Sequence, residues 1–260
     1  MFIIILIIGL LLGSFYNVCI YRIPKGESII NPPSHCTKCG TKLKFLDLFP
    51  VISYLAFKGK CRYCGEKISY RYILVEIITS FSFIILYIKF GMTLQFLGFL
   101  WLVSILIIIT FIDIDYMIIP DGLVILGIVG GVILFALNIF FPIKFYQDNN
   151  WWNPLIGAII GSGFLLLVAY IGFYIYKSEE ALGMGDVKLF IPIGLFLGWK
   201  ITIIALALSI FMCAVSTSFL VIIKILNRKS AIPFGPFIGV GTFLAILYGN
   251  SILLWYLHYL

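Results

Sequence analysis

Two short acidic motifs carry the chemistry legible in this chain. Gly183-Met184-Gly185-Asp186 lies at the edge of a long apolar run, and Asp113-Ile114-Asp115 ends another. An ionisable side chain in a hydrocarbon segment costs ~2.5–3.5 kcal/mol on insertion scales, so acids so placed line a cavity, find a partner or carry out chemistry. Two carboxylates brought together share a proton, one serving as base and the other as neutral acid, which is the equipment of an aspartyl protease. Asp113 and Asp115 are two apart, on roughly opposite faces of a helix, so only one of them can point at Asp186. The glycines beside Asp186 remove side chains and would let a substrate strand approach closely.

Each acid also has a plainer reading. Asp186 could be a loop aspartate paired with Lys188, and Asp121, directly after Pro120, suits the start of a helix, where a carboxylate complements the macrodipole. Glu76 stands one turn into an apolar run after Arg71, a place either to pair with a basic loop residue or to face the interior.

A second constellation is a repeated CxxC pair. Cys36-Thr37-Lys38-Cys39-Gly40 and Cys61-Arg62-Tyr63-Cys64-Gly65 leave 21 residues between Cys39 and Cys61, and each ends in a glycine that lets the backbone turn its amides toward thiolate sulfur. This is a zinc-ribbon pattern, and Cys36, Cys39, Cys61 and Cys64 are the expected ligands of a structural zinc ion; reactive or unmetallated thiols are the alternative. His35, next to Cys36, could substitute as a ligand, although beside a complete tetrad it reads as a bystander, and Cys19 and Cys213, inside apolar runs, behave as small hydrophobes.

The elements that must position these groups are membrane helices. The chain has 260 residues, 62% hydrophobic and only 11% charged, where soluble domains have about 25% charged residues. The expectation is an all-α polytopic membrane protein with about eight transmembrane helices. The runs lie near Phe2 to Ile20, Tyr72 to Phe90, Thr93 to Ile112, Leu123 to Phe141, Pro154 to Tyr176, Leu189 to Trp199, Ile201 to Ile223 and Phe237 to Tyr256. The sixth is short enough to be a half-span or to merge with the seventh. Gly157 and Gly161, four apart, suit close helix packing in lipid, and Trp151-Trp152 suits an interfacial belt in the loop Phe141 to Trp152.

The first run lacks a basic region before it and a lipobox before Cys19, which predicts a retained span. Of the 18 Lys and Arg, ten fall between Arg22 and Arg71, and Lys177, Lys188, Lys224, Arg228 and Lys229 join them on one side. Only Lys89, Lys144 and Lys200 fall on the other. The positive-inside rule then predicts an outside N-terminus, a cytoplasmic zinc-ribbon-like loop after the first helix, and Asp113 and Asp186 both at cytoplasmic helix ends. The net charge of +7 follows from this asymmetry and from contact with anionic lipid, with no nucleic-acid partner required. The expected division is a first transmembrane helix at 1–20, the double-CxxC loop at 21–71 and a transmembrane core at 72–260.

In this order the motifs resemble those of the type IV prepilin peptidases, membrane aspartyl proteases of the GxGD class that are commonly also N-methyltransferases. The resemblance runs through Gly13-Ser14-Phe15 with Asn17, Tyr21-Arg22-Ile23-Pro24, the cysteine loop with Pro50-Val51-Ile52-Ser53-Tyr54, and Ile68-Ser69-Tyr70-Arg71-Tyr72 to Glu76. It continues with Asp113, Ile119-Pro120-Asp121, Gly183 to Lys188 and Pro233-Phe234-Gly235-Pro236-Phe237. It implies a catalytic pair of Asp113, eight residues before Asp121, and Asp186. It further implies prepilin or pseudopilin substrates cut at the cytoplasmic face of the bacterial inner membrane, then N-methylation with S-adenosylmethionine as donor. No Rossmann glycine fingerprint is visible and spacing does not locate the donor's site, which leaves Glu76 and the loop as the region to search. The rival readings are an ion-coupled transporter with a zinc-ribbon docking loop and a presenilin-like protease that cuts within a transmembrane helix.

Overall fold

The computed structural model describes residues 1–36, 38–140, 145–146, 150–176, 183–225, 227 and 231–259. Lys144, Lys177, Arg228 and Lys229 of the charge map, Thr37 of the first CxxC and most of the loop from Phe141 lie outside the described residues. Eight α-helices are present among the described residues: α1 (Phe2–Arg22), α2 (Ile52–Ala56), α3 (Arg71–Phe90), α4 (Leu94–Tyr116), α5 (Asp121–Phe140), α6 (Asn153–Tyr176), α7 (Met184–Ile222) and α8 (Gly235–His258). All except α2 are long and apolar enough to cross a membrane, seven in total. Extended pairing among the described residues is confined to isolated bridges in the cysteine loop, His35 with Lys42 and Lys60 with Lys67.

Two compact units divide the chain, Met1–Gly91 and Met92–Leu260. In the first, α1 packs on α3 backbone to backbone. A Cβ placed on Gly9 would lie 2.6 Å from Ser80 Cα, and one on Gly13 would lie 2.7 Å from Glu76 Cα. Asn17 Nδ2 donates to the Tyr72 carbonyl at 3.0 Å, and Ser80 Oγ donates to the Leu6 carbonyl at 3.1 Å. Lipid tails are as apolar as leucine, so small residues and interhelical hydrogen bonds of this kind are what hold membrane helices together.

The second unit settles the short sixth run. A straight helix over Met184–Ile222 would be about 58 Å long, nearly twice the hydrocarbon thickness. Gly198, with φ 71 and ψ 168, breaks it. A Cβ on Gly161 of α6 would touch Phe190 Cδ1 at 3.0 Å and Thr202 Cγ2 at 2.9 Å, although twelve residues of straight helix would separate those two by about 18 Å. The arms on either side of Gly198 therefore fold back on one another as a hairpin. The arm before Gly198 is about 21 Å long, short of a full span, and belongs to one of the seven span-length helices among the described residues.

The hairpin tip is tied down by polar groups. Trp199 N–H donates to Asn153 Oδ1 at 2.9 Å, and Tyr146 Oη donates to the Leu195 carbonyl at 2.6 Å. Burial raises the Tyr146 phenol above its usual range. Gly157, the glycine four before Gly161, sits against the Gly194 carbonyl and the Gly198 backbone, so the interval expected to pack closely does so. Trp151 and Trp152 stack at 3.8 Å beside the start of α6.

Candidate functional site

The starts of α5, α7 and α8 gather at the end of α4, and the acids are carried there. α4 runs past Ile112 to Tyr116, so Asp113 and Asp115 both occupy its last turn, and Met117 ends it in a left-handed conformation with φ 55. Asp113 is buried and Asp115 exposed, which decides between the two faces. Asp186, in the first turn of α7, is also buried, and the two acids are close enough for their charges to act on one another.

The surrounding glycines have separable jobs. Gly235 N–H, the first of α8, donates to Asp113 Oδ2 at 2.8 Å. That donor is one of the four orphan amides at a helix start, so the positive end of α8 meets a carboxylate at the negative end of α4. A Cβ on Gly235 would lie 2.7 Å from the same oxygen. A Cβ on Gly183 would lie 3.0 Å from Asp186 Oδ2, and one on Gly185 would lie 2.8 Å from Ile119 Cβ. The glycines of the GxGD stretch thus clear space for the aspartate's own carboxylate and for the Ile119–Pro120 turn. Sequence reasoning attributed that space to substrate. It also assigned no role to Gly235, whose only signal was the Pro-Phe-Gly-Pro string around it.

Asp186 is not the partner of Lys188. Lys188 Nζ reaches Asp121 Oδ1 at 2.8 Å, both groups being largely exposed, and this pair joins the first turns of α5 and α7 beside the buried acids. An exposed pair of this kind contributes roughly 0.2–1 kcal/mol.

In the N-terminal unit, the four cysteines converge. The Sγ atoms of Cys36, Cys39, Cys61 and Cys64 all lie within 4.8 Å of one another, with Cys36 and Cys64 at 3.8 Å. Tetrahedral zinc–thiolate bonds of about 2.3 Å require sulfur–sulfur edges of about 3.8 Å, so the set fits such an ion. Each half is the same turn: Gly40 N–H donates to the Cys36 carbonyl and Gly65 N–H to that of Cys61, with Gly40 at φ 68 and Gly65 at φ 72. Hydrogen bonds with Thr41 pull the Cys39 thiol down to about 6. The Glu66 amide pulls Cys64 down as well, but burial and its hydrogen bonds with Cys61, Cys39 and Cys36 carry it up to about 12. Four sulfurs crowded this closely suit a shared cation better than four free thiols. His35 Nδ1 is turned to the Pro33 carbonyl.

Glu76 ties this loop to the helices. Its Oε2 accepts the Val51 N–H at 2.8 Å, Ser14 also hydrogen-bonds the carboxylate, and the residue is 7% exposed. Val51 has φ 60 and ψ −49, and Ile52 N–H donates to the Pro50 carbonyl at 2.5 Å across it. That is a γ-turn of the rare, strained hand, centred on a β-branched residue, a conformation costing on the order of 1–3 kcal/mol.

Two family profiles and several known proteins match the chain. The family profile described as Bacterial Peptidase A24 N-terminal domain matches residues 7–90, and the Type IV leader peptidase family matches residues 100–218. The chain is 36% identical to a Prepilin leader peptidase/N-methyltransferase of Bacillus subtilis (strain 168), over 98% of this chain and 97% of that one. It is 32% identical to one of Aeromonas hydrophila, over 98% and 93%, and 30% identical to one of Aeromonas salmonicida (strain A449), over 98% and 94%. No solved structure matches.

Proposed function

The chain belongs to the type IV leader peptidase family, and from that premise we propose that it removes the leader of type IV prepilins or pseudopilins with Asp113 and Asp186 and then methylates the new N-terminus. The observation that carries the peptidase half is the burial of these two carboxylates together at one end of the second unit. One carboxylate takes a proton from a water held between them as that water attacks the scissile carbonyl. The other, protonated, donates a hydrogen bond to the carbonyl oxygen and later protonates the leaving amine. Gly235 fixes one oxygen of Asp113, leaving the rest of that carboxylate for water and substrate. Family membership sets aside the ion-coupled transporter.

The protein is a multi-pass membrane protein. We place it in the bacterial inner membrane with the N-terminus outside and the catalytic end cytoplasmic. Lys188 stands at the acid end of the hairpin and Lys200 at its tip, while ten basic residues crowd between Arg22 and Arg71, as the positive-inside rule requires of such an orientation. A substrate helix lying in the bilayer beside these spans would then present its leader junction to the aspartates.

The loop at 21–71 serves methyl transfer and the peptidase centre lies within 72–260. Cys36, Cys39, Cys61 and Cys64 hold a structural zinc ion, which fixes a loop too small for a core of its own. S-adenosylmethionine supplies the methyl group to the freed amine. The test is purified protein in lipid with a prepilin and S-adenosylmethionine, read by intact mass. Wild type should lose the leader and gain one methyl. Asp113→Asn and Asp186→Asn should each slow cleavage by about 10²- to 10⁴-fold while still methylating a pre-cleaved pilin. Unchanged cleavage in either variant removes that residue from the pair.

A further inference from the structure

The strained turn at Val51 is explained by what holds it. The cysteine loop is built from local contacts: the Asp47 carboxylate accepts from the Lys44 amide at 2.9 Å and from the Tyr63 hydroxyl at 2.9 Å, linking the two knuckles. The tie from the middle of the loop into the membrane helices runs through Glu76 of α3, whose carboxylate takes the Val51 amide, with Ser14 of α1 on the same carboxylate. Gly13 lets α1 come within contact of the Glu76 backbone, so the carboxylate is clamped between two helices.

A mechanical path leads from that clamp to the sulfurs. Val51 is the residue before α2, whose Tyr54 ring lies over Gly59, a Cβ on which would touch the Tyr54 hydroxyl at 2.9 Å. Ile68 N–H donates to the Gly59 carbonyl at 2.8 Å, and Tyr54 Oη reaches the Ile68 carbonyl at 3.4 Å. Lys60 and Lys67 then bridge at the base of the Cys61–Cys64 knuckle. A turn that is costly by itself persists only where its surroundings over-determine it, and such turns gather at sites whose geometry matters.

We propose that Glu76 is a positioning residue for methyl transfer: its carboxylate docks the cysteine loop on the membrane helices by fixing the Pro50–Val51–Ile52 turn through the Val51 amide. The inference rests on the two-activity reading given above. Glu76 acts here as a hydrogen-bond acceptor, since the groups it meets are the Val51 amide and the Ser14 hydroxyl. Glutamine, which keeps an acceptor oxygen at the same reach, should replace it, whereas alanine should not.

The experiment uses the full chain in lipid nanodiscs, with cleavage of a prepilin and methylation of a pre-cleaved pilin measured separately, and with hydrogen exchange followed over residues 50–58. Glu76→Ala should lose methylation kcat/KM by about tenfold to a hundredfold, the size expected when a part-buried amide is left without its acceptor, and keep cleavage within about twofold. Amides in 50–58 should exchange faster in Glu76→Ala than in wild type. Glu76→Gln should restore both methylation and protection, and Val51→Gly in the Glu76→Ala background should recover part of the methylation, because glycine takes positive φ at no steric cost. Wild-type methylation in Glu76→Ala, or a Glu76→Gln as poor as Glu76→Ala, overturns the proposal. If wild type cleaves but never methylates, the two-activity reading fails on its own, and the exchange of 50–58 still decides whether Glu76 docks the loop.

Discussion

Replacing Gly235 by alanine should damage cleavage through Asp113 without touching the aspartate itself. The added Cβ would stand 2.7 Å from Asp113 Oδ2 and 3.1 Å from its Cβ and Cγ. Ordinary van der Waals contact begins near 3.4 Å, so the carboxylate or the start of α8 must retreat by about 0.7 Å, the gap between those distances. Asp113 is buried and cannot swing into solvent, and retreat of α8 lengthens the 2.8 Å hydrogen bond from the Gly235 amide. Misplacement of a reacting group by about 1 Å costs about 10²-fold, so Gly235→Ala should lower kcat for leader removal by roughly 30- to 100-fold. Gly235 has no positive φ, so alanine adds no backbone strain, and overpacking should cost no more than about 1–3 kcal/mol of stability. The assay is the initial rate of leader loss in lipid, with methylation of a pre-cleaved pilin as an internal control that should stay within about twofold. Gly163→Ala is the matched control, because a Cβ there meets nothing within 4 Å. Cleavage by Gly235→Ala within twofold of wild type would refute the claim that α8 positions the catalytic carboxylate.

Metal content should be one zinc per chain in wild type and lost in Cys36→Ser, by elemental analysis of purified protein. Zinc must displace the protons of the ligating thiols, so affinity should fall as pH falls, and a competition titration against a chromophoric chelator at three pH values reads this directly. Lys188→Ala should change cleavage by less than about fivefold, as an exposed ion pair with Asp121 permits; a loss of 10²-fold would give Lys188 a part in the chemistry. Gly198→Ala should lower the thermal midpoint, since φ 71 with ψ 168 is a region essentially reserved to glycine and costs on the order of 1–3 kcal/mol for other residues.

The chemistry-bearing residues were legible because each leaves a mark that composition cannot hide: a carboxylate in a 62% hydrophobic chain, or a CxxC that repeats. The choice of Asp113 over Asp115 came from resemblance in the sequence; the structure buries Asp113 and exposes Asp115. What sequence could not yield is contact between residues far apart in the chain. The Gly235 amide lies 122 positions from Asp113, and Lys188 lies 67 from Asp121. No periodicity encodes such pairs, so Asp186 was offered the nearer lysine, and Gly235 was given no task.

The seventh helix shows the same limit in topology. Hydropathy sees two apolar runs around Gly198 and cannot tell a bent helix from a hairpin, because both have the same composition. The distinction lies in what stands opposite: Gly161 meets residues from before and after the break, and Asn153 and Tyr146 occupy the polar groups that a turn in the membrane leaves open. A hairpin whose first arm is too short to span returns the chain to the end from which it started. Ile222 at the end of the second arm thereby comes back toward the end that holds Asp186, so α8 can start there and Gly235 can reach Asp113, rather than starting at the far end of a rod about 58 Å long. The short apolar run, which looks like a defective span, is the element that lets the Gly235 amide meet the Asp113 carboxylate.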